Sequence, residues 1–287
     1  MKALVALVLC AGLTGACSSS KSTSAAPSAP ASTAASAAPS SPAPATSSSP
    51  AGARPITVLV MNDDGVHAPG IDALVQALRK EPGLTIKVVG PAANQSGSGG
   101  KTSPGTVAAL QRTDTTTLSG YPAIAVTGTP ADSANVAFTV LKLQPDVVIS
   151  GVNAGQNLGP IVDISGTVGA ARVAALHGVP ALAVSAGFVK YDFATGAAYA
   201  ITWLRGERPL LPVTPSDSPA TVVSLNVPTC TAGKVRGELK LARQTAFAAG
   251  QSPIGASDCT STATPTTEVA AFTDGYATLV SLPLNPG

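Results

Sequence analysis

From residue 55 onward the chain alternates between short apolar runs and longer segments whose apolar residues recur at helical spacing. Ile56–Met61 (ITVLVM) is an almost unbroken, β-branched run, the pattern of a strand covered on both faces. Ile71, Leu74, Val75 and Leu78 then fall at i, i+3, i+4 and i+7 behind Pro69, which suits a first helical turn, and Pro82-Gly83 ends the series. Thr85–Val89 reads as the next strand, so the body opens with a strand-helix-strand unit. Within residues 106–126, VAALQ and YPAIAV are expected as two strands around a polar, Thr-rich turn. A helix should start at Thr129-Pro130-Ala131-Asp132, with a capping hydroxyl, a Pro at the first position, and Ala134, Ala137, Phe138 and Leu141 on one face.

Asp146–Ser150 (DVVIS) is another buried strand. Ser165–His177 is apolar and small on nearly all sides, which predicts a buried helix ended by Gly178 and Pro180. Ala181–Ser185, Asp192–Leu204 and Thr221–Val227 continue as strand, helix and strand. Such alternation predicts an α/β fold, a doubly wound, Rossmann-like and mainly parallel sheet. From about Pro228 to Gly287 only weak strand patterns remain, near Val235–Ala242 and Tyr276–Leu282, and a smaller C-terminal β-rich extension is expected there.

The first 54 residues follow other rules. Residues 1–17 (MKALVALVLCAGLTGAC) join one Lys to an apolar core of signal-peptide length, too short to span a bilayer comfortably, and finish on small residues and Cys17. Gly15-Ala16-Cys17 resembles the lipobox of bacterial lipoproteins, with Thr14 where a Leu is commoner. That resemblance implies lipidation of Cys17 and anchoring on the outer side of the cytoplasmic membrane; the alternative is an ordinary secretory signal cleaved nearby, which leaves a secreted soluble protein. Residues 18–54 hold only Ser, Ala, Pro and Thr besides Lys21, Gly52 and Arg54, and so have almost nothing to bury against the entropy of ordering a backbone. They read as a disordered linker, with an end-to-end distance of about 30–35 Å as a flexible coil. The folded body is assigned to 55–287.

Charge sharpens the functional reading by exclusion. The chain has 17 Lys+Arg against 15 Asp+Glu, and Lys2, Lys21 and Arg54 precede the body, which leaves the body close to neutral. No basic face for a nucleic-acid polymer can be built from that balance. Of four cysteines, Cys10 and Cys17 belong to the leader, so Cys230 and Cys259 remain. In an oxidising compartment they are expected to form a disulfide; two unpaired buried thiols are the alternative.

In open α/β sheets ligands bind beyond the carboxyl ends of the strands. Asn62-Asp63-Asp64-Gly65 follows the first strand, Asn94-Gln95-Ser96-Gly97 follows the second, and Gly151-Val152-Asn153-Ala154-Gly155-Gln156-Asn157 follows DVVIS. Oxygen donors of this kind suit a hard cation such as Mg²⁺, Mn²⁺ or Ca²⁺, and two adjacent ionised Asp residues need a counter-charge if buried. A solvated turn with one Asp capping the next helix is the competing reading of the pair. Ser165-Gly166-Thr167, at a helix start, offers N–H groups and hydroxyls to an anion, although Ser is also a common cap.

VLVMNDDGVHAPGI (58–71), NQSGSGG (94–100), TGTPADS (127–133), VVISGVNAGQNLG (147–159), SGTVGAA (165–171), GVPALAVS (178–185) and LNVP (225–228) resemble, in order, the survival protein SurE family, with DGYATLVSL (274–282) a looser match. The resemblance implies a metal-dependent 5′/3′-nucleotidase that releases phosphate from nucleoside monophosphates. It implies Asp63, Asp64, Ser96 and Asn153 as ligands of Mg²⁺ or Mn²⁺, with Asp63 and Asp64 catalytic. It places Ser165, Gly166 and Thr167 beside the phosphate, and dimers or tetramers with C-terminal contacts. Asn62 and Asn157 are expected to support the ligands. Either Asp63 or Asp64 would orient or deprotonate a water; attack by Asp63, giving an aspartyl-phosphate, is the other chemistry. Ile164 stands where the family often has Tyr, and Val173 where an acidic residue is common; family members usually lack a leader and work in the cytoplasm.

Other residues attract less weight. His67 and His177 are expected to be structural, Lys101 and Arg172 to be solvated, and Ser98 and Ser103 have no His nearby for a Ser-His-Asp site. Two rival functions are a substrate-binding lipoprotein and a catalytically inactive nucleotide- or metal-binding lipoprotein.

Overall fold

A computed structural model describes residues 54–212 and 219–285. The leader expected at 1–17, with Cys17, and all of the expected linker except Arg54 lie outside the described residues. Arg54 is part of the folded body: its guanidinium pairs with Asp146 Oδ1 at 2.6 Å and donates to the Pro212 carbonyl at 2.7 Å.

The first strand, β1 (Ile56–Met61), leads through a loop to α1 (Pro69–Leu78) and β2 (Leu84–Pro91). Next come β3 (Arg112–Thr116), β4 (Pro122–Val126) and α2 (Pro130–Asn135), which runs on into a π-helical turn over Val136–Val140. Then follow β5 (Val147–Ala154), α3 (Gly166–Leu176), β6 (Ala181–Ala186), α4 (Phe193–Glu207) and β7 (Val222–Val227). The chain closes with β8 (Glu238–Leu241), α5 (Glu268–Thr273) and β9 (Ala277–Leu282).

Among the described residues, nine strands form one sheet in the order β3-β4-β2-β1-β5-β6-β7-β9-β8. The six central strands, from β4 to β7, are parallel, while β3 and β9 run antiparallel to their inner neighbours. The strand alternation sends side chains to two cores. Val58 and Val60 join Ile71, Leu74 and Ala197 under α1 and α4, whereas Leu59 and Met61 join Val168, Ala171 and Ala134 under α3 and α2. With both faces covered, β1 has to be apolar at almost every position. The small residues of α3 let that helix lie close to its neighbours: a Cβ on Gly169 would sit 2.0 Å from the Gly99 carbonyl oxygen.

The doubly wound, mainly parallel architecture expected from the alternation is present, with three local differences. VAALQ is not a strand; Val107–Ala109 is a 3₁₀ turn, and the edge strand is the polar Arg112–Thr116. An edge strand exposed on both sides needs no apolar pattern, so sequence periodicity misses it. The C-terminal strand patterns expected near Val235–Ala242 and Tyr276–Leu282 are present as β8 and β9, which extend the main sheet, while α5 adds a short helix the sequence pattern did not signal. Cys230 and Cys259 are disulfide-bonded, with Cα atoms 5.6 Å apart. Among the described residues, no helix is long and apolar enough to cross a membrane.

Candidate functional site

The sheet grows from β1 in both directions, to β2 on one side and to β5 on the other. This is the switch point at which loops diverge and leave a crevice beyond the strand ends. Asn62, Asp63 and Asp64 enter it directly from β1. Asp63 is buried, 2% exposed, and its Oδ1 accepts a 2.5 Å hydrogen bond from the Thr167 hydroxyl in the first turn of α3. A Cβ on Gly166 would lie 2.8 Å from both Asp63 Cβ and Ser98 Oγ, and 3.0 Å from Asp63 Oδ2. Only glycine therefore allows the helix start, Asp63 and Ser98 to converge. Ser98 Oγ itself is buried without a hydrogen-bond partner.

Burial pushes the Asp63 carboxyl up to about 6, with the charge of Asp64 adding to the rise and bonds from Thr167 opposing it. Burial also raises Asp64, against hydrogen bonds from the Ala154 N–H and from Asn94. Those bonds measure 3.1 Å to Asp64 Oδ2 and 2.9 Å to Oδ1. Among the described residues, neither carboxylate has a salt bridge to Lys, Arg or His. Two adjacent acids, partly desolvated and without a basic partner, form a site with an unmet demand for positive charge.

The other candidate donors arrive from three segments. The β5–β6 register shifts between Ser150 and Asn153. The shift is permitted by Gly151, whose φ is +135° and whose Cβ would be 2.2 Å from the Val184 carbonyl oxygen. Asn153, past this irregularity, donates through Nδ2 to the Gly155 carbonyl at 2.6 Å, which leaves its Oδ1 as the atom able to serve a cation. Ser96 is exposed; its N–H donates to Asn94 Oδ1 at 2.9 Å, so Asn94 ties it to Asp64. Asn62 is fully buried and holds the loop by donating to the Gly65 carbonyl at 2.8 Å, with its Oδ1 unpartnered. Asn157 bonds elsewhere: Nδ2 donates to Ser185 Oγ, and its backbone N–H to Asn226 Oδ1. It fixes the loop after β5 to β6 and β7.

Among the described residues, no group of three or more His, Cys, Asp or Glu is placed to hold a metal ion. A cation here would be held by the two carboxylates and completed by neutral oxygens, the donor set of a hard ion. Asp63, Asp64, Asn153 and Ser96 fit that chemistry. Ser165 and Thr167 are already engaged, Ser165 as the cap that accepts from the Val168 N–H at 3.2 Å and Thr167 with Asp63. An anion would thus meet the Gly166 N–H at the head of α3 more than these two hydroxyls.

Among the residues given less weight, Arg172 differs from expectation, while Lys101, Ser103 and His177 agree with it. Arg172 is not solvated but 4% exposed, donating to Asp163 Oδ1 at 2.9 Å and to the Pro283 carbonyl at 3.0 Å. Lys101 is exposed, and Ser103 donates to Asp132 at 2.6 Å in the cap of α2. His177 stacks on Phe138 with centroids 4.5 Å apart, while His67 stands exposed with Nε2 3.4 Å from the Thr115 hydroxyl. A cavity of about 450 Å³ opens beside Asp64 and Asn94, with His67, Tyr191 and Phe193 among its walls. Sequence reasoning overlooked Asn94 as the link between Asp64 and Ser96, and the aromatic wall as well. A compositional signal was available for the latter: with four Tyr, five Phe and one Trp in the chain, Phe188, Tyr191 and Phe193 crowd into one short loop.

Comparison with known proteins places the chain in a family. The family model described as Survival protein SurE matches residues 58–250. The 5′-nucleotidase SurE of Symbiobacterium thermophilum is 41% identical over 157 residues, covering 50% of this chain and 56% of the relative. The 5′/3′-nucleotidase SurE of Salmonella paratyphi A is 40% identical, covering 63% and 66%. The 5′-nucleotidase SurE of Maridesulfovibrio salexigens is 36% identical, covering 66% and 72%. The chain spans between about half and two thirds of the length of the first curated relatives it matches. The crystal structure of the SurE protein from Aquifex aeolicus superposes with a TM-score of 0.63 at 25% identity, covering 80% of this chain and 94% of that one.

Proposed function

This chain belongs to the survival protein SurE family, and from that premise we propose that it is a metal-dependent 5′/3′-nucleotidase, a phosphomonoesterase that releases phosphate from nucleoside monophosphates. The observation that carries the reading is the Asp63–Asp64 pair, partly desolvated, without a basic partner, at the head of α3.

Asp63, Asp64, Asn153 and Ser96 would hold a divalent cation, Mg²⁺ or Mn²⁺, which when bound supplies Lewis-acid polarisation of a phosphoryl oxygen and acidifies water. The protein's own groups do the rest. Thr167 holds Asp63 Oδ1, so Oδ2, beside Gly166 and Ser98, is the oxygen free to orient a water and take its proton. Without a cation, burial raises the Asp63 carboxyl to about 6, so the site favours a bound positive charge. Asp64 is kept in place by Ala154 and Asn94. The Gly166 N–H and the positive end of the α3 dipole would offset charge that builds on the phosphoryl oxygens.

The test is phosphate release from AMP with Mn²⁺ or Mg²⁺, with chelator and Asp64→Asn as controls. Metal-dependent release that chelator abolishes and Asp64→Asn suppresses is expected; purified protein without any such release overturns the reading. We further propose export and anchoring through Cys17, on the strength of residues 1–17 alone. Fatty-acid label in the membrane fraction that persists in Cys17→Ala would overturn the anchoring.

A further inference from the structure

We propose that Asp163 is a positioning residue for the reaction: paired with Arg172 and Arg243, it fixes the turn from which the head of α3 and the 96–99 loop are both set against Asp63. This rests on the nucleotidase reading and adds a residue outside the crevice that the reading does not use.

The turn is short and touches both parts. Gly159–Asp163 is a 3₁₀ segment, Ile164 follows, and Ser165 is already the cap of α3. The Ile164 carbonyl accepts from the Gly99 N–H at 3.0 Å, and a Cβ on Gly99 would meet the Asp163 carbonyl oxygen at 3.0 Å. Gly99 lies three residues past Ser96 and one past Ser98, whose Oγ sits against Gly166. In the other direction, Thr167, the second residue of α3, donates to Asp63 Oδ1. A shift of this turn would therefore move the helix head and the loop together relative to the Asp63 carboxylate.

Asp163 holds the turn with both carboxylate oxygens. Oδ1 accepts from Arg172 Nη2 at 2.9 Å, and Oδ2 pairs with the Arg243 guanidinium. Arg172 reaches back from the second turn of α3 and also donates to the Pro283 carbonyl at 3.0 Å. The Arg172 and Arg243 side chains keep only 5% and 14% of their surface in solvent, so the carboxylate between them is what makes two nearly buried guanidinium groups tolerable. Without it, two like charges would face one another beside the turn and push it open. At the far end of the same turn the Gly159 N–H donates to Glu268 Oε2 at 3.2 Å, so side chains from distant segments hold both its first and its last residue. Because both Asp163 oxygens are engaged by arginines, Asp163 acts through the turn and not on the substrate.

The experiment measures kcat and KM for AMP with Mn²⁺ and, separately, Mn²⁺ affinity by calorimetric titration of metal-free protein, in wild type, Asp163→Asn, Arg172→Ala and Arg172→Lys. Arg54→Ala, which breaks the Arg54–Asp146 pair at the opposite ends of β1 and β5, is the control for a purely structural loss. Asp163→Asn should lower kcat about tenfold and weaken Mn²⁺ binding about tenfold, with the KM for AMP changed by no more than about threefold. Arg172→Ala leaves Asp163 paired with Arg243, so it decides the matter if Asp163→Asn does not fold; it should lower kcat in the same direction, and Arg172→Lys, which keeps the charge, should recover it. Arg54→Ala should lower Tm and leave kcat and Mn²⁺ affinity at the wild-type values. If the folded Asp163 and Arg172 variants keep wild-type kcat and Mn²⁺ affinity, or if Arg54→Ala loses as much kcat for the same fall in Tm, this inference falls and the nucleotidase reading stands. If wild type releases no phosphate, both fall.

Discussion

Around the β1–β5 crevice, Asp63, Asn62 and Asn153 sit above two apolar cores that press on the sheet from either side. Between Val227 and Ala277 the chain holds only the four-residue β8 and the six-residue α5, and it is fixed by a small apolar cluster of Val269 and Phe272 with Leu158 and by single long-range contacts. The disulfide ties residue 230 to 259, Glu268 Oε2 accepts from the N–H groups of Gly159 and Gln244 at 3.2 Å, and Arg243 pairs with Asp163 beside Arg172. The first region spreads its stability over many buried methyl groups; the second relies on one small apolar cluster and a few bonds. Chemistry should therefore be lost by touching the crevice and stability by cutting one tie in the other region.

The largest effect belongs to Asp64→Asn. Metal-dependent phosphate release should fall on the order of 10²–10³-fold, while the thermal transition stays intact. Retained turnover would place the chemistry outside the crevice. Next comes the disulfide: Cys230→Ser with Cys259→Ser should lower stability by roughly 3–4 kcal/mol, as expected for a loop of this size, read by denaturant melts with and without reductant. Wild type that melts identically in reductant would mean that this tie contributes nothing.

A third pair of changes sets the same substitution in both regions. Gly166→Ala forces a Cβ to within 2.8 Å of Asp63 and Ser98, for a cost of about 1–3 kcal/mol and a loss of turnover. Gly255→Ala meets nothing within 4 Å, and its stability should stay within about 0.5 kcal/mol of wild type. Equal effects at the two sites would erase the distinction between the regions.

The smallest effect is in pH. Burial raises Glu268 above 4.5, so the folded state keeps its proton longer than the unfolded chain does. Its stabilisation is complete below about 4.5 and is lost as pH rises through the folded value. Glu268→Gln should remove that slope, so the fall in Tm that wild type shows from pH 4 to 8 becomes smaller in the variant. Asp63 has the same sign in metal-free protein, over a window from 3.8 to about 6, and Asp63→Asn should flatten it. Opposite slopes in the variants would refute these directions.

The sequence reveals the same division. β1, β5 and α3 are buried on every side, so their apolar runs mark them directly, and the residues that follow each strand had to fall on one rim. Asp63, Asp64 and Asn153 were legible for that reason. β3 was not, because four of its five residues are exposed and no face needs to be apolar. Arg172 reads as a surface cation until Asp163, only nine residues earlier, is brought against it by the turn before α3. Glu268 is similar: a polar residue in a Thr-rich stretch, buried because two distant N–H groups meet it. Contacts between single residues far apart in the chain leave no periodicity to read.

The pairing of β1 with β5 sets Val58 beside Val147, across nearly a hundred residues of intervening chain. Loop closure of that length comes late and slowly in folding. Asp63 and Asp64 on one strand end and Asn153 on the other meet only when that ladder closes, so the site and the centre of the sheet form in one event. A nascent or half-folded chain therefore carries no assembled crevice, and on refolding the proposed turnover should return with the sheet's own kinetic phase.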